Sequence, residues 1–207
     1  MPGDGRNGPV KLGRGGISAT HDGYFNAKYS GLVKFAIMWE NSSVSTTLEA
    51  FKQNVVPYWV EYYLTDDRYM TVNNKPVVTI WSVGGLINSM GGAENVKEAI
   101  NYLKETCKGL GYDGCLFMCA DGHSTRPDQF ITLASIGADA TYAYHWNEGG
   151  VDWYSQTGRM QNYLDYNANS DVPAEEKIPL VPTVSVGVRS NRSTKPYSLS
   201  QTRRPLF

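Results

Sequence analysis

Pro76-Val77-Val78-Thr79-Ile80-Trp81, then a helical stretch from Ala93 to Lys108, then Gly114-Cys115-Leu116-Phe117-Met118-Cys119: this passage decides the fold class. The two outer runs are short and almost wholly apolar, as strands covered on both faces are. Between them Val96, Ile100, Leu103 and Cys107 recur at helical spacing. Lys97, Glu98, Lys104 and Glu105 fall on the opposite side, and Gly109 and Gly111 end the helix. Strand, helix and strand at this spacing make a βαβ unit, in which the two strands run parallel through a right-handed crossover.

The alternation extends in both directions. Upstream, Val33-Lys34-Phe35-Ala36-Ile37-Met38-Trp39 reads as a strand. A helix follows, with Thr46 and Glu49 as a capping box and Phe51, Val55, Trp59 and Tyr62/Tyr63 along one stripe. Pro57 lies inside that pattern and predicts a kink, and Asp66, Asp67 and Asn73-Asn74 mark turns. Downstream, the spacing predicts a helix from Thr125 to Ser135, a strand over Ala140-Thr141-Tyr142-Ala143-Tyr144, and a helix from Asp152 to Tyr166 that contains Gly158. A last strand runs from Ile178 to Val186.

This is an α/β chain with about five parallel β–α units. Two architectures offer such units, the doubly wound open sheet and the (β/α)8 barrel. Gly84-Gly85 and Gly91-Gly92 lack the spacing of a dinucleotide or phosphate loop, which removes the commonest role of the open sheet. Polar and aromatic residues gather after each strand, as they do at the C-terminal rim of a barrel. A partial (β/α)8 barrel is therefore expected. Residues 1–32 read as a Gly-rich N-terminal loop segment, 33–187 as the barrel portion, and 188–207 as a basic irregular tail. That tail carries Arg189, Arg192, Lys195, Arg203 and Arg204 with no acidic residue; it reads as an out-of-frame tail on a truncated gene, or else as a genuine basic tail.

Composition narrows the function classes. Hydrophobic residues make up 41% and charged residues 19% of the 207, the balance of a globular chain. The net charge of −1 supplies no field for nucleic acid or an anionic membrane. No apolar run approaches the roughly 18 residues of a membrane span. The stretch Met1 to Gly8 lacks the apolar segment of a signal peptide. Cys107, Cys115 and Cys119 are an odd set without a metal-type arrangement, and read as reduced, buried packing residues.

The candidate site lies past the strands. Glu40, Asp121 and Glu148 each follow an apolar run, where a low-polarity wall can raise a carboxyl pKa towards that of a general acid. Glycoside hydrolysis needs two such groups flanking the scissile bond. Each, taken singly, reads more simply as a loop carboxylate that caps a helix or pairs with a neighbour. Trp39, Trp81 and Trp146 are candidate platforms for a sugar face, in a chain whose aromatic content is 12%. Asn41, His123, Tyr144 and His145 are candidate hydrogen-bonding partners for hydroxyls. Asp121-x-His123 is too sparse for a metal site, so neither metal nor cofactor is expected. No Gly-x-Ser-x-Gly elbow surrounds Ser82, which argues against serine hydrolase chemistry.

Four segments carry a resemblance. They are Lys34-Phe35-Ala36-Ile37-Met38-Trp39-Glu40-Asn41, the link Asp66-Asp67-Arg68-Tyr69 through Lys75-Pro76, Asp139-Ala140-x-x-Ala143-Tyr144, and Val181-Pro182-Thr183-Val184-Ser185-Val186-Gly187. Together, over about residues 33 to 187, they resemble the glycoside hydrolase family 99-like group, including its WbsX-like branch. The resemblance implies a (β/α)-barrel acting on a poly- or oligosaccharide through rim carboxylates. Catalytic members carry a late Asn-Glu-Trp-x-Glu-type segment that this chain lacks. Asn147-Glu148-Gly149 echoes it but precedes the Val-Pro-Thr-Val-Ser strand, so the family's catalytic roles are not carried onto Glu148. The alternative is a sugar-binding or catalytically inactive truncated barrel. Five strands do not close an eight-stranded barrel, so self-association is also expected.

Overall fold

The computed structural model of the protein describes residues 22–41, 45–120, 127–143, 153–169 and 171–183. In chain order the strands are β1 (Ile37–Trp39), β2 (Thr71–Val72), β3 (Lys75–Ile80), β4 (Leu116–Cys119), β5 (Ala140–Tyr142) and β6 (Leu180–Val181). The longer helices are α1 (residues 48–64), α2 (Val83–Met90), α3 (Ala93–Gly109), α4 (Pro127–Ser135) and α5 (Trp153–Ala168).

Five strands are parallel and lie in the order β1-β3-β4-β5-β6, while β2 pairs antiparallel with the start of β3. The spatial order follows the chain and never reverses. A doubly wound sheet needs a reversal, whereas right-handed crossovers that always advance the same way put their helices on one face. The fold is therefore a partial (β/α) barrel.

Register separates the two faces. Ile37, Val78 and Phe117 share one level, and Trp39, Ile80, Cys119, Thr141 and Leu180 share the level two residues on. Val78, Ile80, Phe117 and Cys119 belong to the same apolar core as Val96, Ile100, Leu103 and Cys107 of α3. This is the helix-covered face. The intervening level is Met38, Thr79, Met118 and Ala140. Alternation turns it to the inner face, where Met38 is 44% exposed.

The foot of the sheet is closed by Asp66-Asp67-Arg68-Tyr69. Arg68 donates through Nε and Nη2 to the two carboxylate oxygens of Asp66, at 2.9 and 2.7 Å. Its guanidinium also donates to Ser30 Oγ at 2.8 Å and lies over the rings of Tyr24 and Phe25. Tyr69 is buried between β1 and β3. Its hydroxyl donates to the Val77 carbonyl at 2.7 Å and accepts from Ile37 N–H at 3.3 Å. Burial pushes the Tyr69 phenol well above its ordinary range. Asn73 and Asn74, both at positive φ, form the two-residue turn between β2 and β3.

Several local expectations shift. The cap of α1 is Thr47, whose Oγ1 accepts from Ala50 N–H, one residue after the Thr46 expected from the sequence. At Pro57, where a kink is expected, the helix continues with an altered hydrogen-bond pattern. Wide π-turns at Phe51–Val55 and Val60–Leu64 flank its turn. The first strand is confined to Ile37–Trp39, with Phe35 bridged to Tyr69 below it. Residues 22–25 are helical and Ser30–Leu32 form a 3-10 turn inside the segment read as loop. The cysteines are free and buried, as expected. The tail 188–207 lies outside the described residues.

Candidate functional site

The C-terminal ends of β1 and β3 meet at Glu40-Asn41 and Trp81-Ser82. The parallel ladder runs on past the strands, since Trp81 N–H donates to the Trp39 carbonyl at 3.0 Å and Ala120 N–H to the Ile80 carbonyl at 3.0 Å. Glu40 is exposed and Trp81 half-buried. By register they are the next residues after the paired Trp39 and Ile80, so they stand side by side at the rim.

Asn41 is only 3% exposed. Its Nδ2 donates to the Ser82 carbonyl at 2.6 Å, and its Oδ1 accepts from Ser82 N–H at 2.9 Å. The amide therefore clasps both backbone groups of one residue on the neighbouring strand. Ser82 Oγ in turn accepts from Gly85 N–H at 3.1 Å and caps α2. Gly85 lets the first turn of that helix lie close: an added Cβ would stand 3.2 Å from Ser82 Oγ and 3.7 Å from the Asn41 carbonyl oxygen.

Trp39 stands on the helix-covered face. Its ring stacks on Phe51 and meets Trp59 edge-on, each with centroids 5.6 Å away. Of the expected sugar-contacting residues, the structure thus places Trp39 in the seam between β1 and α1, Asn41 in a backbone clasp and Trp81 at the rim. Asp121, His123, Tyr144, His145, Trp146 and Glu148 lie outside the described residues.

Two contributors went unread in the sequence. Tyr142 reaches across the inner face and donates its hydroxyl to Met38 Sδ at 3.3 Å; alternation along Ala140-Thr141-Tyr142 is the signal that places it there. Helix α2 was unread because Gly84 and Gly85 lower its helix propensity. Its signal was Ser82 as cap, Val83, Leu86, Ile87 and Met90 at helical spacing, and Gly91 at positive φ as the stop.

Among the described residues no group of three or more His, Cys, Asp or Glu could hold a metal ion. Among them too, no helix is long and apolar enough to cross a membrane. No protein-family model matches the chain, and no curated protein or solved structure matches it. The arrangement at hand is thus an α/β scaffold of a kind that hosts enzymes, with a carboxylate beside an indole at the C-terminal ends of parallel strands.

Proposed function

We propose that this protein is a carbohydrate-directed barrel of the glycoside hydrolase family 99-like kind, acting on a poly- or oligosaccharide at its C-terminal rim. The observation that carries the reading is the adjacency of Glu40 and Trp81 at the ends of β1 and β3. An indole face receives the C–H groups of a pyranose ring, and a carboxylate beside it takes sugar hydroxyls or transfers a proton to a glycosidic oxygen. Cleavage requires a second carboxyl group across the bond, and Asp121 and Glu148 are the candidates.

A panel of glycans and chromogenic glycosides tests the reading on the full chain. The variants Glu40→Gln, Asp121→Asn and Glu148→Gln then identify the acting pair, each true member lowering turnover by about 100- to 10,000-fold. Hydrolysis that survives all three substitutions sinks this choice of carboxylates, and the absence of hydrolysis of every substrate in the panel sinks the enzyme reading.

Glycan binding without turnover is the second reading. It is favoured by one observation: among the described residues directly after a parallel strand, Glu40 is the one carboxylate. Calorimetric binding that is lost in Trp81→Ala, with no product on long incubation, selects it.

The same reading includes association of copies, because β1 and β6 are the outer strands of the described sheet. Light scattering that finds a clean monomer at high concentration counts against this part.

A further inference from the structure

We infer that Asn41 and Ser82 form a positioning clasp that holds Glu40 and Trp81 as one rigid pair. The direction of a side chain from the backbone is set by the two peptide planes on either side of its Cα. For Trp81, both planes are tied to the end of β1. The N–H of Trp81 donates to the Trp39 carbonyl at 3.0 Å, and the N–H of Ser82 donates to Asn41 Oδ1 at 2.9 Å. Trp39 and Asn41 are the two neighbours of Glu40. The groups that orient Trp81 therefore bracket Glu40, and neither residue can turn without breaking a bond that holds the other.

The return bond from Asn41 Nδ2 to the Ser82 carbonyl fixes the next plane as well. Asn41 is buried, so its amide does not exchange these bonds for water, and an unmade bond there is costly. The cap from Ser82 Oγ to Gly85 N–H carries the constraint into α2. The Asn41 side chain and the Ser82 backbone are thus the positioning groups, and they need touch no ligand themselves. The use of the pair for sugars rests on the function proposed above, but the clasp is testable without it.

The test uses the full chain labelled with 5-fluorotryptophan, read by fluorine NMR, with the Trp81 resonance assigned by Trp81→Phe. In Asn41→Ala the Trp81 resonance should shift or broaden, while those of Trp39 and Trp59 in the packed seam hold their positions. Ser82→Ala is the control. It removes the helix cap and lowers stability, but leaves both clasp bonds, so the Trp81 resonance should stay. If Asn41→Ala does not fold, Asn41→Leu gives the same reading, since it keeps the volume of the side chain and loses both bonds to Ser82. A Trp81 signal that is unmoved, or that moves only together with Trp39 and Trp59, overturns the clasp. A selective shift in a protein that binds no glycan upholds the clasp and sinks the proposed ligand class.

Discussion

Tyr142, near the end of the fourth parallel strand, donates its hydroxyl to the sulfur of Met38 on the first, 3.3 Å away. Two strands lie between them. Neighbouring strands are about 4.8 Å apart, so β1 and β5 would be separated by roughly 14 Å on a flat sheet. Side chains standing perpendicular to such a sheet would not meet. Their contact follows from a sheet that curls inward, as a barrel wall does. Thioether sulfur is a weak acceptor, so Tyr142→Phe should cost under about 1 kcal/mol. Tyr142→Ala also loses the packing across the face and should cost about 1–2 kcal/mol. Urea denaturation measures both, and a Tyr142→Ala variant as stable as the parent would mean the inner face does not rely on this contact.

Tyr69 joins β1 to β3 through its hydroxyl, which bonds Ile37 N–H and the Val77 carbonyl. Tyr69→Phe leaves both groups buried without that partner and should cost about 1–3 kcal/mol. The folded phenol is raised above its unfolded value, with burial the leading cause. Its contribution is therefore full below about pH 10 and is lost as pH rises towards the folded value. Melting curves from pH 8 upward should show the parent losing its advantage over Tyr69→Phe, and a constant gap would contradict this.

The Asp66–Arg68 pair behaves in the opposite sense. Hydrogen bonds from Arg68 hold the Asp66 carboxyl below its ordinary range. The stabilisation is present above the unfolded value of about 3.9 and disappears as pH falls through the folded one. Asp66→Asn should melt earlier than the parent at neutral pH, and the difference should shrink on acidification. An unchanged difference down to pH 2 would refute the assignment.

Asn74 occupies the left-handed region at φ 55°, within the turn that aligns β2 with β3. Alanine there meets a left-handed cost of about 1–2 kcal/mol. Asn74→Ala should lower stability by about that amount in urea titration. The same substitution at the exposed helical position Lys97 should change it by less than about 0.5 kcal/mol.

The fold was legible where periodicity is strong. Val96, Ile100, Leu103 and Cys107 marked α3, and all four lie in the core. Element ends were less legible, because they depend on which partner a backbone group finds. On paper Thr46, with Glu49 three residues on, is the cap, yet it is Thr47 that accepts from Ala50 N–H, just before Phe51 packs against Trp39 and Trp59. The site was half legible. Glu40, Asn41 and Trp81 could be placed at strand ends, but composition cannot tell a rim residue from one turned into the seam.

By itself the sequence determined that the chain is parallel α/β, since apolar runs and helical stripes are local patterns set by burial on each element. Only the tertiary structure decided that the strand order never reverses, that Trp39 packs beneath the helices, and that Asn41 joins two strands. Those outcomes depend on register, and a shift of one residue along a strand exchanges its two faces. No local pattern carries that information. It is fixed when β1 pairs with β3, and the level of Met38 and Thr79 then becomes the inner face to which Tyr142 reaches.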